Sequence, residues 1–146
     1  MAAKRSEGVV KVVSGVGFDE TLAAIAASFK EHGIRVFARI DQAAAAADVN
    51  LSMPPTVLIV AGSPAAGTPV MLASPDVGID LPLKVLVREE RNGRVSVTLN
   101  RTTFLADRHH LRPDLVAALE GFERLVLATL RSTRSAGTGT SSGTGP

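Results

Sequence analysis

The segment "TVLIVAGSPAAGTPVML", Thr56 to Leu72, has the outline of a phosphate loop. An apolar run empties into a glycine-rich turn, with Gly62 and Gly67 five positions apart and Thr68 next. Such loops work through a nest of backbone N–H groups, a lysine that reaches the terminal phosphates, and a hydroxyl that binds magnesium. Here Thr68 takes the lysine position and Pro69 the hydroxyl position. Pro64 and Pro69 also lack an N–H, so the nest loses donors. These departures argue against a Walker-type nucleotide site. Ser63-Pro64, Thr68-Pro69 and Ser74-Pro75 instead each read as a helix cap followed by a proline at the first helical position, giving a run of short helical turns.

Helix starts attract anions. The sequence therefore points to a small anionic ligand between the Gly62–Pro69 and Asp76–Pro82 segments. Gly62, Ser63, Pro64 and Thr68 would hold it through hydroxyls and backbone amides, with Asp80 or Arg39 orienting it.

The remaining reactive groups form no evident catalytic or metal set. His109 and His110 are adjacent, so their side chains diverge in regular structure, and His32 falls at a helix end where the helix dipole explains it. No Asp or Glu stands at ligand spacing from them, so no metal site is expected. G-x-S-x-G is absent, which removes the nucleophile elbow. Asp19, Asp41 and Asp114 read as helix caps. Asp41 or Asp80 with a histidine remains an alternative acid–base pair, to be assembled only in three dimensions.

The elements that must position these groups follow from periodicity. "VVKVV" reads as a strand, and Phe18, Leu22, Ile25, Ala26 and Phe29 recur at helical spacing before Gly33. "IRVFARI" alternates as a half-buried strand, and "QAAAAAD" is an alanine-rich helix. "TVLIVA" is apolar on both faces, which suits a central strand. Two alternating strands flank Asn92-Gly93, a tight hairpin signal. Leu115, Leu119, Phe122 and Val126 then stripe a last helix, widened by Val116 and Leu130 and opened by Pro113. The expected class is α+β: a single domain with a mixed β-sheet of about five strands and helices packed on it, in the order β-α-β-α-β-(short α)-β-β-α. Residues 1–7 are expected to be a flexible N-terminus, 8–131 the domain, and 132–146 a disordered Gly/Ser/Thr tail.

Composition removes several functions. With no cysteine, disulfides, thiolate metal sites and cysteine nucleophiles are excluded. The formal charge is only +2 and the basic residues are scattered, while Tyr and Trp are absent, which argues against nucleic acid. Lys11 interrupts the only apolar run near the N-terminus, and no apolar stretch is long enough to span a bilayer. The expected location is the cytoplasm.

Three segments together resemble a known family. They are "FDETLAAIAASFKEHGIRVFARID", "AGSPAAGTPVMLASPDVGIDLPLKVLV" and "RTTFLADRHHL", spanning Gly8 to Arg131. The most specific parts are Gly62-Ser63-Pro64 and Gly78-Ile79-Asp80-Leu81-Pro82, and the order resembles the bacterial domain-of-unknown-function family numbered 302. The resemblance implies a compact α+β fold and a homodimer, and it brings no reaction. It also marks a departure: many members have a cysteine before the N-P and another after the L-P, where this chain has Gly62 and Leu83. Thiol or soft-metal chemistry of such members cannot operate here.

The leading expectation is therefore a small-ligand (anion) binding or regulatory module with no catalytic residue, no metal and no cofactor. The alternatives are an Asp/His enzyme with a pocket near the same loops, or a structural dimerisation or partner-binding protein carrying an apolar patch on the last helix or an uncovered sheet face.

Overall fold

Alternating side chains along the strands decide which face of the sheet is covered. A computed structural model describes residues 6–137, and in it the chain runs β1 (Val9–Val13), α1 (Phe18–Glu31), β2 (Arg35–Asp41), α2 (Gln42–Asp48), β3 (Thr56–Gly62) and α3 (Pro64–Ala73). A 3-10 helix (Pro75–Ile79), β4 (Leu83–Glu89), β5 (Val95–Asn100), α4 (Thr102–His109) and α5 (Pro113–Gly137) complete it. Val57, Ile59 and Ala61 of β3, Val85 and Val87 of β4, and Val95, Val97 and Leu99 of β5 form one buried cluster with α1 and α5. The helices contribute Leu22, Ile25 and Phe29 from α1 and Phe122, Val126 and Leu130 from α5. The Phe29 and Phe122 rings meet with centroids 5.4 Å apart. On the opposite face, the registers line up Ile40, Leu58, Leu86, Thr98 and Lys11 in a single cross-strand row.

The sheet order is β1-β5-β4-β3-β2, and every pairing is antiparallel. The α+β class holds, but the sheet is not mixed. The reason is topological: α1 carries the chain from one edge strand to the other, and every later strand returns beside its predecessor. β3 is interior, and β4 takes the centre.

The strand expected to be half-buried differs most from its reading. All seven residues of β2 are exposed. β2 is an edge strand, and its register shifts between Val36 and Ala38, so simple alternation does not carry its apolar residues into the core.

Local signals divide into those that suffice and those that tertiary structure overrides. Asp41 caps α2, its Oδ1 accepting from Ala44 N at 2.9 Å. Ser63 caps α3, its Oγ accepting from Ala66 N at 3.3 Å, with Pro64 at the first position. α1 ends at Gly33, which adopts φ +69°. Thr68-Pro69, however, starts no new helix: Pro69 lies inside α3, a ten-residue helix. Asp19 and Asp114 lie within first turns and are not caps, where their charge still favours the helix dipole. At the hairpin, Glu90 N donates to Arg94 O at 2.7 Å and only Gly93 has positive φ, so the loop is a three-residue one and not a two-residue turn.

α4 was absent from the expected order. Arg101 precedes it and supplies no side-chain cap; Glu123 of α5 accepts from Thr102 N at 3.2 Å. A cap from a distant helix leaves no local signature. α5 continues through Ser132 to Gly137, past the boundary at 131, and residues 138–146 lie outside the described residues, as do residues 1–5 at the N-terminus.

A buried knot of hydroxyls ties α5 to the turn after β1. Ser14 Oγ and Thr21 Oγ1 are 2.7 Å apart, Thr21 Oγ1 donates to Gly17 O at 2.7 Å, and Thr133 Oγ1 accepts from Gly15 N at 3.1 Å. Thr133 Oγ1 in turn donates to Leu130 O at 2.7 Å. Each hydroxyl thereby keeps a partner after leaving water.

Candidate functional site

A cavity of about 780 Å³ opens between α3, α5 and the β2 edge, within the size range of small-molecule sites. β3 ends on its wall with Gly62 and Ser63, and α3 adds Pro64, Gly67, Thr68 and Met71. Leu81, Pro82 and Leu83 enter from the segment leading into β4, where the Leu81-Pro82 peptide is cis. The face of α5 turned to the cavity is unusually small, with Ala118, Gly121 and Ala128 between Leu119, Phe122 and Leu125. His32, Ile34, Arg35 and Phe37 close the β2 side, and Arg124 adds a second guanidinium. The walls are mainly aliphatic, and the charges are cationic.

The polar groups are differently committed. Arg35 lies over the Phe37 ring, its guanidinium carbon 5.2 Å from the centroid, and has no carboxylate partner among the described residues. Arg124 pairs with Glu120 at 3.4 Å in an exposed i,i+4 contact. His32 Nδ1 is 2.9 Å from Ser28 O, which fixes the proton on Nδ1 when the ring is neutral and leaves Nε2 as an acceptor. Arg35 is thus the cation that enters the cavity wall without an internal counter-ion.

Of the residues singled out in the sequence, the cavity gathers Gly62, Ser63, Pro64 and Thr68. It does not gather Asp80 or Arg39. Asp80 Oδ2 accepts from His109 Nε2 at 2.5 Å and from Arg108 Nη1 at 3.2 Å, so its carboxylate is tied to α4. This anchors the segment immediately before Leu81 and Pro82, and shapes the wall from behind. Arg39 lies on β2 opposite Ile59 and is exposed. The amides expected to cradle an anion are also committed, since Ala66 N and Gly67 N donate to Ser63 O at 3.1 and 2.8 Å. The sequence reading missed His32, Arg35, Phe37, Gly121 and Arg124. One signal was present: Gly121 interrupts an otherwise strongly helix-forming run, "LVAALEGFERLVLATL".

The Asp80–His109 pair answers the acid–base alternative only in part. The two side chains meet and are largely buried, yet neither lines the cavity. Among the described residues no group of His, Asp or Glu side chains is arranged to hold a metal, and no helix is long and apolar enough to cross a membrane. Gly62 and Leu83, the positions associated with cysteine in the family resemblance, both line the cavity.

Comparison with known proteins agrees with this frame. A solved structure of an uncharacterized conserved DUF302 protein from Bacillus stearothermophilus superposes with a TM-score of 0.76 at 23% identity, covering 88% of this chain and all of that one. The fluoride-specific ion channel FluC 1 of Brucella suis is 40% identical over 111 residues, covering 76% of this chain and 44% of that protein. FluC 1 of Brucella abortus matches at the same identity over 41% of its length. The chain therefore spans less than half of the curated relatives it matches. The model of DUF302, a domain of unknown function, matches residues 10–128, and the chain belongs to the DUF302 family.

Proposed function

We propose that this domain is a small-molecule binding module whose site is the cavity between α3, α5 and β2. One observation carries the reading. The cavity is of ligand size, and its wall includes an arginine with no counter-ion among the described residues. The absence of Asp80 and His109 from the wall favours binding over acid–base catalysis there. A thermal-shift screen of carboxylates and phosphates tests it. A ligand at 100 times its dissociation constant should stabilise the fold by about 2.7 kcal/mol. A screen in which no organic anion stabilises the protein removes this reading.

The likeness to fluoride channels suggests a regulatory setting, in which the module lies outside the pore and its ligand state biases a membrane partner. Fluoride itself is a poor match for mainly aliphatic walls, because a small, strongly hydrated ion gains nothing from leaving water there. Sodium fluoride in the same screen should leave the unfolding midpoint unchanged. The cysteine-free composition supports a cytoplasmic location.

A second observation favours self-association. β2 exposes all its residues, and its apolar side chains Val36 at 45%, Phe37 at 47% and Ile40 at 41% exposure lie along that edge. Arg35, Arg39 and the bulge oppose open-ended strand addition, whereas a two-fold dimer closes on itself. Sedimentation velocity should reveal a homodimer that Ile40→Asp converts to monomer. A monomer at every concentration rules the homodimer out.

A further inference from the structure

α3 and α5, which pack on each other through Val70, Leu115 and Leu119, each place a glycine on the cavity wall, Gly67 in α3 and Gly121 in α5. A glycine inside a helix is disfavoured relative to alanine, so it calls for a local reason. Close packing does not supply one at Gly121, where an added Cβ would have nothing within 4 Å. Neither residue has positive φ. At Gly67 an added Cβ would meet only Leu81 Cδ1 at 4.0 Å, an ordinary contact. What the missing side chains do provide is width between two aliphatic walls. The same wall carries Arg35, braced on Phe37 and without a carboxylate partner among the described residues.

We infer that the cavity takes an amphiphilic organic anion, with its apolar body between α3 and α5 over Gly67 and Gly121 and its single charged head on the Arg35 guanidinium. This rests on the cavity being the ligand site, and it names the ligand class. Each part of the ligand answers a separate feature. The apolar body replaces water against Met71, Leu81, Leu119 and Leu125, where apolar burial is favourable. The anionic head supplies the counter-charge that the chain withholds from Arg35, through charge-assisted hydrogen bonds to a planar fork of donors. A wholly polar metabolite would leave its hydrogen-bonding groups unpaired against the aliphatic walls. A neutral apolar compound would forgo the arginine.

Two fluorescent probes with the same phenyl-naphthylamine body separate these parts. 1-Anilinonaphthalene-8-sulfonate carries an anionic head, and N-phenyl-1-naphthylamine carries none. Both should bind the full chain saturably, the sulfonate more tightly. Arg35→Ala should weaken the sulfonate about tenfold or more and change the neutral probe by less than about twofold, as expected for loss of a charge-assisted contact. Gly121→Leu should abolish both while the circular dichroism and unfolding midpoint show a folded protein. Gly121→Ala, which adds a single methyl to the wall, provides a milder variant should the leucine disturb folding, and should weaken both probes. Dodecanoate should displace the neutral probe at lower concentration than dodecanol, with the difference lost in Arg35→Ala.

If neither probe binds, the cavity is not a ligand site and both readings fall. If both bind and both survive Gly121→Leu in folded protein, they sit elsewhere, and both readings fall again. If both are lost in Gly121→Leu but respond equally to Arg35→Ala, the cavity binds ligands and only the anionic class is overturned.

Discussion

At one edge of the sheet, β1 keeps its valines half-buried, places the charged Lys11 at its midpoint, and receives Arg134 of α5 on the Val13 carbonyl at 3.1 Å. Lys11 is paired with Glu90 on the neighbouring hairpin. At the other edge, β2 exposes every residue and borders a cavity of about 780 Å³ whose Arg35 has no carboxylate partner among the described residues. The same helix, α5, runs past both. Near its C-terminal end it carries the buried Leu130 and the hydrogen-bonded Thr133, and beside the cavity Ala118, Gly121 and Ala128 intersperse its larger side chains. Among the described residues, one side is completed by the chain's own contacts, and the other is the side on which we propose that a ligand binds. On the proposed function, stability and recognition are separated along a single helix.

Substitutions at the two ends test that separation. The largest effect belongs to the completed side: Leu130→Ala empties a site that is fully buried and should destabilise the fold by about 2–5 kcal/mol in urea unfolding. Thr133→Val removes the hydroxyl that Gly15 N and Ser14 Oγ use, and should cost about 1–3 kcal/mol by the same measurement. A loss well below that range would mean that water or relaxation replaces the knot. On the open side the sign reverses. Gly121→Ala should stabilise the ligand-free protein by about 0.5–1 kcal/mol, because the helix improves and nothing is displaced. If it destabilises instead, the glycine serves packing after all, and the contrast between the two ends disappears.

The smallest effect concerns the charge at the β1 midpoint. The hydrogen bond from Lys11, opposed by some desolvation and aided by the charges of Lys11 and Arg88, holds the Glu90 carboxyl below its ordinary value of 4.5. A depressed folded-state pKa means that the pair's contribution is present above the unfolded pKa and fades as pH falls through the folded one. Lys11→Met should raise the Glu90 titration midpoint in a carboxyl NMR experiment. Added salt should shrink that difference, since the pair is partly exposed.

How far the sequence could be read depended on how local each cause was. The α5 stripe was legible because Leu115, Leu119, Phe122, Val126 and Leu130 bury one continuous face. The Asp41 and Ser63 caps were legible because donor and acceptor lie three residues apart. α4 escaped because Glu123, twenty-one residues from Thr102, supplies its cap. Of the residues expected from the sequence, Gly62, Ser63, Pro64 and Thr68 fall on the cavity wall. Arg35 was not legible there, since it reaches the wall through the placement of β2 at the sheet edge, where it pairs with Gly62 of β3. Arg39, four positions further along, was chosen on the same charge and lies away from the cavity.

The knot at Thr133 has one more consequence. A helix whose buried stripe is nearly all aliphatic looks much the same after sliding by one turn, about 5.4 Å, so greasy contacts alone define its axial position poorly. Hydroxyls are less forgiving. Moving α5 along its axis would break the contacts that Gly15 N and Ser14 Oγ make with Thr133 Oγ1, leaving the Gly15 amide without its acceptor. The knot therefore acts as an index mark on an otherwise repetitive rod, and from the far end of the helix it fixes which α5 residues, Gly121 among them, line the cavity.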